Sequence, residues 1–265
     1  MAVAGSEKTK KLTRAQFIKL SGIVYRESGI VLNDKKYNLL MARLAKRMRK
    51  TKISSVSDYI RLLSDNNDEF NEFIDEVTTN HTFFFRENKH IEFLVNTLDN
   101  NKPLKIWCAA SSSGEEAFSI AVQLLEYSFK FSIFASDISD TMLKKCRRAV
   151  YPVQRVKNVP RSILYKYFQK GKNSWKNYVR VKPEVRQHVQ FAKFNLLSDK
   201  PFDTYDIIFC RNVMIYFDLK TRKHVVTTLC RSLNTKGYFF IGLSENIHGF
   251  EHGLKTIMPG AYRKP

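Results

Sequence analysis

Paired cysteines and long apolar runs are both missing from this chain. Its four cysteines, among 265 residues, include no Cys-x-x-Cys spacing, which argues against a disulfide framework and a zinc site. No stretch of about 18 apolar residues is present to span a bilayer, and residues 1–11 lack the apolar centre of a secretory signal. We therefore expect reduced thiols, no metal, no membrane insertion and a cytoplasmic protein.

Acidic residues are scarce as well. Asp and Glu number 25 against 45 Lys and Arg, which gives a formal net charge of +20. An excess of this size predicts an acidic partner, which is nucleic acid, anionic lipid or an acidic protein surface. Composition does not choose among the three, and a generally basic proteome or a demand for solubility would produce the same excess.

Up to about residue 100 the pattern is helical, with no sign of a strand. Thr13 is placed to cap a first helix, Asn33 or Asp34 a second, and Ser57 begins a third. A further apolar segment follows the third helix. These segments predict a small all-α domain over residues 12–77, small enough to depend on its neighbour for stability.

The second of these helices has two distinct faces. Three- and four-residue steps define an apolar face that contains Tyr37, Leu40, Met41, Leu44 and Met48. The cationic face contains Lys36, Arg43, Lys46, Arg47 and Lys50. A solvated surface would explain the cationic face, and so would a docking surface for an acidic helix or for phosphates.

From residue 104 onward, apolar strand segments alternate with helices, which is typical of an α/β fold with a parallel sheet. The predicted strands are 104–108, 131–135, 207–210 and 238–243, and the predicted helices are 114–126, 140–148 and 219–233. One further strand is expected within residues 257–263.

The alternation breaks between residues 151 and 195. A helix at 160–168 precedes two strand-like segments, 178–181 and 188–191, which predict a hairpin around Pro183. We interpret this region as a small antiparallel β insertion over about residues 172–194.

Polar residues follow the predicted strands at their carboxyl ends, where open α/β sheets bind ligands. The first strand leads into a loop of small residues at 109–116, and the second ends in Asp137. The strand at 207–210 delivers Arg211 and Asn212 directly. The sequence therefore predicts a cofactor crevice at this edge of the sheet.

The same residues favour S-adenosylmethionine (SAM) over a dinucleotide. The loop lacks a complete Gly-x-Gly-x-x-Gly motif, and Glu115 and Glu116 would repel phosphate but suit a cationic sulfonium. Asp137 is placed to accept hydrogen bonds from a ribose diol, although a helix cap is its alternative role. Asn195 and Leu196 are placed to contact the edge and face of an adenine.

Three consecutive phenylalanines, residues 83–85, lie between the helical segments and the first strand. Their rings could simply join two domains. The polar residues around them, Asn80, Thr82 and Arg86, are not needed for such packing, which favours a functional role for the linker at residues 78–90.

The segments 80–86, 107–116, 135–138, 195–197, 209–217 and 241–245 together carry a family resemblance. In this order they resemble the CheR family of chemotaxis receptor glutamate O-methyltransferases. The resemblance implies a Rossmann-like SAM-dependent methyltransferase domain at 91–265 with an inserted small antiparallel β subdomain. It also implies that a small all-α domain precedes this domain and that the linker contributes to the cofactor site.

The resemblance assigns roles residue by residue. The residues expected to bind SAM, which would leave as S-adenosyl-L-homocysteine (SAH), are Asn80, Thr82, Arg86, Glu115, Glu116, Asp137, Asn195, Leu196, Arg211 and Asn212. One or both of the two glutamates would contact SAM. Arg86 and Tyr216 would be catalytic residues beside the transferred methyl group.

The substrate implied by the resemblance is a set of glutamate side chains on the cytoplasmic domains of methyl-accepting chemotaxis receptors. Their methyl esters would serve sensory adaptation. The acidic helices of such a receptor would dock on the cationic helix, for which we select Arg43, Arg47 and Lys50. We expect a monomer that binds no nucleic acid.

Three departures from the family pattern stand out: His81 replaces a usual Glu, Ala117 a usual Pro and Leu243 a usual His. None lies at a residue assigned to SAM. Two alternatives stay open, a nucleic-acid methyltransferase and a SAM-binding signalling protein without activity. The Asn/Asp-Pro-Pro-Tyr motif, which serves amine nucleophiles in similar methyltransferases, is absent from the chain. Its absence argues against the first alternative.

Overall fold

In the computed structural model of the chain, residues 11–78 and 80–265 are described. They divide between two compact units, with the boundary after Thr79. Within these residues, no helix is both long and apolar enough to cross a membrane.

The first unit is helical. Its helices are α1 (Arg14–Ser28), α2 (Tyr37–Thr51), α3 (Val56–Asp65) and α4 (Asn67–Val77). Thr13 caps α1 as predicted, because its hydroxyl accepts the Gln16 N–H while the Gln16 side chain accepts the Thr13 N–H. Neither Asn33 nor Asp34 caps α2, since Asp34 begins a 3₁₀ turn, Asp34–Lys36, that leads directly into that helix.

The remaining helices of this unit begin at side-chain caps. The hydroxyl of Ser55, two residues before the predicted start at Ser57, accepts the Asp58 N–H and caps α3. Asn66 caps α4 in the same way. The bundle core is built from Leu20, Val24, Leu40, Leu44, Tyr59 and Phe73.

The second unit is an α/β domain, as predicted. Its strands are β1 (Leu104–Ala109), β2 (Phe131–Asp137), β3 (Val150–Pro152), β4 (Phe168–Lys170), β5 (Tyr178–Val181), β6 (Val189–Lys193), β7 (Tyr205–Phe209), β8 (Leu233–Phe240), β9 (Lys255–Met258) and β10 (Ala261–Arg263). Its helices are α5 (Lys89–Thr97), α6 (Glu115–Glu126), α7 (Asp140–Arg148), α8 (Arg161–Tyr167), α9 (Pro183–Arg186) and α10 (Leu219–Arg231).

The main sheet has seven strands in the order β6-β2-β1-β7-β8-β10-β9. Strands β6, β2, β1, β7 and β8 pair in parallel, whereas β10 is antiparallel to both of its neighbours. The chain proceeds from β1 to one side, through β2 to β6, and then crosses to β7 on the other side. Such a reversal of strand order opens a crevice at the carboxyl ends of β1 and β7, which is where ligands bind in this class of fold.

The small antiparallel β subdomain exists, but its composition differs from the prediction. It is a sheet of β3, β5 and β4, which spans residues 150–181. The predicted hairpin is wrong, because residues 183–186 form α9, and β6 leaves β5 to pair in parallel with β2. The alternation that predicted the hairpin appears in the burial of β5 but not of β6, and a period of two residues does not reveal which partner a strand chooses.

Besides α9, the strands β3 and β4 and the helix α5 were not anticipated in the sequence. Strands β3 and β4 are three residues each, too short for a period of two to be visible, and α5, directly after the linker, is a helix of only 9 residues. The single strand expected at 257–263 is instead two antiparallel strands, β9 and β10, joined by a turn at Gly260 with φ 72°.

The centre of the second unit is apolar on both faces of the sheet. The inner strands β1, β7 and β8 contribute side chains with at most 1% exposure, among them Ile106, Trp107, Ile207, Phe209 and Phe240. Near-continuous apolar runs of this kind are what buried parallel strands require. The polar residues that follow these buried strands are therefore attached to a rigid part of the backbone.

Candidate active site

The loop after β1 has an unusual backbone. Ala110, Ser112 and Gly114 adopt φ of 60°, 48° and 91°, a left-handed conformation that costs free energy for residues other than glycine. A Cβ added at Gly114 would lie 3.1 Å from the Cys146 Sγ and 3.2 Å from the Tyr151 hydroxyl. The loop is thus held tightly where it turns into the amino terminus of α6.

Asp137 is fixed by backbone donors at the carboxyl end of β2. Its two carboxylate oxygens accept the N–H groups of Ser112, at 2.7 Å, and Ser139, at 2.9 Å. The cap of α7 is the Ser139 hydroxyl, which accepts the Met142 N–H. Asp137 is therefore not the side-chain cap of that helix.

Glu115 and Glu116 point to different partners. The Glu115 side chain is 1% exposed, and one of its oxygens accepts the Ser113 hydroxyl at 2.6 Å. Burial raises the pKa of this carboxyl, and the Ser113 hydrogen bond opposes that rise. Glu116 instead accepts the Arg211 Nε–H at 2.6 Å. The Glu115 carboxylate is thus held by the loop that precedes α6, whereas the Glu116 carboxylate is held by Arg211.

Arg211 braces the linker against α6. Besides Glu116, its guanidinium donates to the carbonyl oxygens of Arg86, at 2.8 Å, and Glu87, at 3.1 Å, and the side chain is 1% exposed. It also approaches His90 Nδ1 at 3.4 Å. The guanidinium is occupied by protein groups, so its predicted contact with a cofactor stays a prediction.

Asn212 lies where three segments meet. It has φ 59°, donates from its amide to Glu87 Oε1 at 3.1 Å, and donates its backbone N–H to Glu245 Oε2 at 2.7 Å. A Cβ at Gly242 would approach the Asn212 amide nitrogen to 2.4 Å. A side chain at position 242 would displace the Asn212 amide, so the segment after β8 is shaped around Asn212.

Two glutamates that organise this region were not among the predicted site residues. Glu245 accepts the N–H groups of Gly242 at 2.6 Å and Ile215 at 3.1 Å, in addition to Asn212, and burial raises its pKa. Glu87, with φ 50°, accepts the Leu243 N–H at 3.1 Å. Glu245, like Asp137, lies near the carboxyl end of an apolar strand. That position in the sequence could have identified Glu245 as a candidate site residue.

The linker contributes both packing and polar groups. Phe84 is buried between Tyr151 and Phe168, with ring centroids at 5.0 and 5.2 Å. By contrast, the guanidinium carbon of Arg86 lies 5.8 Å above the Phe83 ring, and Arg86 Nη1 donates to a backbone carbonyl, His81 O, at 2.8 Å.

The linker also reaches the loop after β1. The Ser112 hydroxyl donates to Asn80 Oδ1 at 3.3 Å, and the Phe85 N–H donates to the Ser119 hydroxyl at 2.8 Å. Thr82 is buried, and its carbonyl oxygen accepts Arg155 Nη1 at 2.5 Å. The structure therefore places these linker residues at the same edge of the sheet as Asp137.

The remaining predicted residues lie on loops that start at the same edge. Asn195 follows β6, and its side-chain oxygen accepts the Leu197 N–H at 2.9 Å in a tight turn that contains Leu196. The backbone N–H of Phe194, the residue before Asn195, donates to the Asp137 carbonyl oxygen at 3.1 Å. Tyr216 ends the 3₁₀ turn Met214–Tyr216, which Glu245 holds through Ile215.

The crevice fits an adenosine cofactor with a cationic group. Ser111 is 2% exposed, and within the described part of the chain its hydroxyl has no hydrogen-bond partner, so a buried donor and acceptor is available in the loop. Asp137 and Glu115 stay the predicted contacts of a ribose diol and of a positive charge. The residues present are thus suited to SAM.

A metal centre has no comparable support. His248 and His252 have the spacing that holds zinc when it lies on a helix, but their segment between β8 and β9 is not helical. Among residues 11–78 and 80–265, no group of three or more His, Cys, Asp or Glu side chains is placed to hold an ion.

The predicted docking face on α2 requires a correction. Arg47 is 5% exposed and donates to both carboxylate oxygens of Glu69, at 2.5 and 3.0 Å, and to Glu72 at 2.7 Å. These glutamates belong to α4, which packs against α2. Arg47 therefore faces the interior of the bundle. The prediction from helical periodicity, which groups Arg47 with the exposed cations, is wrong for this residue.

The neighbouring cations of α2 are also paired. Arg43 and Lys46 bind Glu76, at 2.9 and 2.7 Å, and Lys50 lies 3.2 Å from Glu72. Unlike Arg47, Lys50 keeps most of its side chain in solvent. The charge available on this face is thus smaller than the sequence suggests.

Comparison with known proteins gives consistent matches. The family described as "CheR methyltransferase, SAM binding domain" matches residues 80–261, and "CheR methyltransferase, all-alpha domain" matches residues 15–78. The chain is 38% identical to the chemotaxis protein methyltransferase of Borreliella burgdorferi, over 96% of this chain and 95% of that protein. It is 36% identical to chemotaxis protein methyltransferase 2 of Pseudomonas aeruginosa, over 94% of this chain and 93% of that protein. The chemotaxis protein methyltransferase of Escherichia coli is 36% identical, with 91% of this chain and 87% of that protein covered.

Proposed function

Because the chain belongs to the CheR methyltransferase family, we propose that it methylates glutamate side chains of chemotaxis receptors, with SAM as the methyl donor. The observation that carries the proposal is the crevice at the carboxyl ends of β1 and β7. There the linker with Arg86, the loop with Glu115 and the carboxylate of Asp137 meet in a chain that matches the family over nearly its whole length.

The residues of the crevice would divide the cofactor among them. Asp137 is suited to the ribose hydroxyls, Glu115 to the methionine ammonium group, and the turn at Asn195 and Leu196 to the adenine. When bound, SAM supplies a sulfonium that makes its methyl group electrophilic. The protein's task is to hold an acceptor in line with that methyl group.

A glutamate acceptor needs no general base. Its ordinary pKa is about 4.3, so the carboxylate is already a nucleophile at neutral pH. We assign Arg86 to orient this carboxylate through paired N–H donors, and Tyr216 to donate one hydrogen bond to it. Correct alignment at roughly 3 Å and exclusion of water would then supply most of the rate enhancement.

The end of β7 argues against amine substrates. Residues 211–214 read Arg-Asn-Val-Met, and Arg211 and Asn212 are engaged with Glu116, Glu87 and Glu245. No Asn/Asp-Pro-Pro-Tyr segment is present to receive a base amine. A nucleic-acid methyltransferase is therefore the weaker candidate, despite the net charge of +20.

We further propose that the reaction takes place in the cytoplasm and that a monomer carries it out. Acidic receptor helices would be attracted by the overall positive charge and by the exposed cations of α2, Lys50 among them. Arg47 is no longer assigned to docking, because it is buried against Glu69.

Methyl transfer from labelled SAM to receptor-bearing membranes tests the proposed function. Glutamyl methyl esters release volatile methanol in mild alkali, whereas methylated amines and bases do not. We expect alkali-released label with the wild-type protein and a loss of about a hundredfold or more in Arg86→Ala, since a positioning group is removed.

One control variant and one contrary outcome make this result specific. Arg161→Ala, which removes an exposed arginine at the start of α8, should keep the wild-type rate. Stable label on receptor or on added RNA, without volatile methanol, would contradict a carboxyl methyltransferase.

A further inference from the structure

Arg155 connects three parts of the second unit. It lies in the 3₁₀ turn Val153–Val156, directly after β3 of the small sheet. Its Nη1 donates to the Thr82 carbonyl oxygen at 2.5 Å and lies 3.7 Å from Glu115 Oε1. One guanidinium thus joins the small sheet, the linker and the first residue of α6.

The carboxylate that Arg155 approaches is nearly enclosed. Glu115 is 1% exposed, the Ser113 hydroxyl donates to it, and the cations Arg155 and Lys145 act on it from two other elements. The neighbouring Cys146 thiol and Tyr151 hydroxyl are kept neutral by burial, which raises both of their pKa values. Arg155 is therefore the cation in ion-pair contact with this buried group.

We propose that Arg155 is a positioning residue for the cofactor, which holds the Thr82 carbonyl and the Glu115 carboxylate in the arrangement that binds SAM. The inference rests on the role proposed above for Glu115 in pairing with the ammonium group of SAM. Arg155 does not itself need to touch the cofactor, because it acts through these two neighbours.

The geometry has a consequence for protonation. Burial raises the pKa of the Glu115 carboxyl, and the charge of Arg155 opposes that rise. Without the guanidinium, the carboxyl would take up a proton at a higher pH than in the wild-type protein. A protonated Glu115 no longer attracts an ammonium group, so cofactor affinity would fall as the pH is lowered.

Calorimetric titration of the full-length protein with SAH tests this role independently of any receptor. Arg155→Ala should bind SAH about tenfold more weakly at neutral pH, and the loss should grow as the pH falls from about 8 to about 6. The wild-type protein should show a flatter profile. A merely structural role would weaken binding equally at every pH.

Three variants separate the explanations. Arg155→Lys should restore the flat pH profile but only part of the affinity, since one ammonium group does not reach both partners. Arg161→Ala should bind SAH as the wild type does. In a Glu115→Gln background, Arg155→Ala should add no pH dependence.

Two results would overturn the inference. One is SAH affinity of Arg155→Ala within twofold of the wild type at every pH, and the other is wild-type affinity in Glu115→Gln, which would remove the group through which Arg155 acts. If SAH binding responds as expected but no receptor methanol is released, the receptor reaction fails while the role of Arg155 stands.

Discussion

At the scale of single residues, two carboxylates, the buried Glu245 and the partly buried Glu87, hold the end of the sheet where the reaction is proposed. Glu245 gathers the backbone N–H groups of Asn212, Ile215 and Gly242, and Glu87 binds the Asn212 amide and the Leu243 N–H. Asn212 is thereby fixed in a left-handed conformation, which Asn tolerates better than most residues other than glycine. Tyr216 depends on the same arrangement, because its turn is tied to Glu245.

Glu245→Gln should both destabilise the protein and slow methyl transfer. The new amide brings N–H donors against backbone N–H groups, so buried donors lose their acceptor, at a cost of about 1–3 kcal/mol in the free energy of unfolding. We expect a lower midpoint in urea unfolding and a reduced kcat, because the turn with Tyr216 shifts.

Glu251→Gln is the matched control, since Glu251 is exposed and lies six residues further along the chain. It should unfold and turn over as the wild type does. Equal stability and equal kcat in Glu245→Gln would show that this carboxylate does not organise the loop.

At the scale of elements, the first unit is joined by opposite charges on α2 and α4. Arg47 forms hydrogen bonds with Glu69 and Glu72, and the Tyr59 hydroxyl donates to Glu69 at 2.6 Å. The hydrogen bond to Glu69 raises the pKa of Arg47, so the arginine stays charged. The ion cluster fixes how these two helices pair rather than presenting charge to a partner.

Arg47→Leu should destabilise the first unit by about 3 kcal/mol or more, because it leaves Glu69 buried without its partner. The double variant Arg47→Leu/Glu69→Leu should recover a large part of that loss, since no unpaired charge is left inside. Urea unfolding of both variants measures the two effects.

Lys50→Ala serves as the comparison on the same helix, because Lys50 is exposed and pairs only with the half-exposed Glu72. It should change the free energy of unfolding by less than about 1 kcal/mol. If Arg47→Leu were no more destabilising than Lys50→Ala, the proposed structural role of Arg47 would be wrong.

At the scale of the whole molecule, the net charge of +20 favours long-range attraction to an acidic substrate. Raising the ionic strength from about 0.01 M to about 0.15 M shortens the Debye length from about 30 Å to about 8 Å. The apparent KM for receptor should therefore increase several-fold over this range.

SAH affinity is the internal reference for this measurement, because the cofactor carries little net charge and is held by contacts inside the crevice. It should stay constant while the receptor KM rises. A receptor KM that does not respond to salt would mean that docking relies on apolar contacts instead.

The division into a helical unit and an α/β unit could be predicted from the sequence, because apolar residues at three- and four-residue steps mark the helices and short continuous apolar runs mark the buried parallel strands. The sequence also located the crevice, since apolar runs end at Asp137 and at Arg211, and the carboxyl ends of parallel strands share one edge. These features depend on residues close together in the chain.

Which side chains face one another became visible only in the folded chain. The tertiary structure paired β6 with β2 rather than β5, enclosed Arg47 against Glu69, and turned the Arg211 guanidinium towards Glu116 and the linker. It also identified Glu87 and Glu245 as the acceptors that hold Asn212. Each of these outcomes joins residues more than 20 positions apart, and periodicity along the chain carries no information about such contacts.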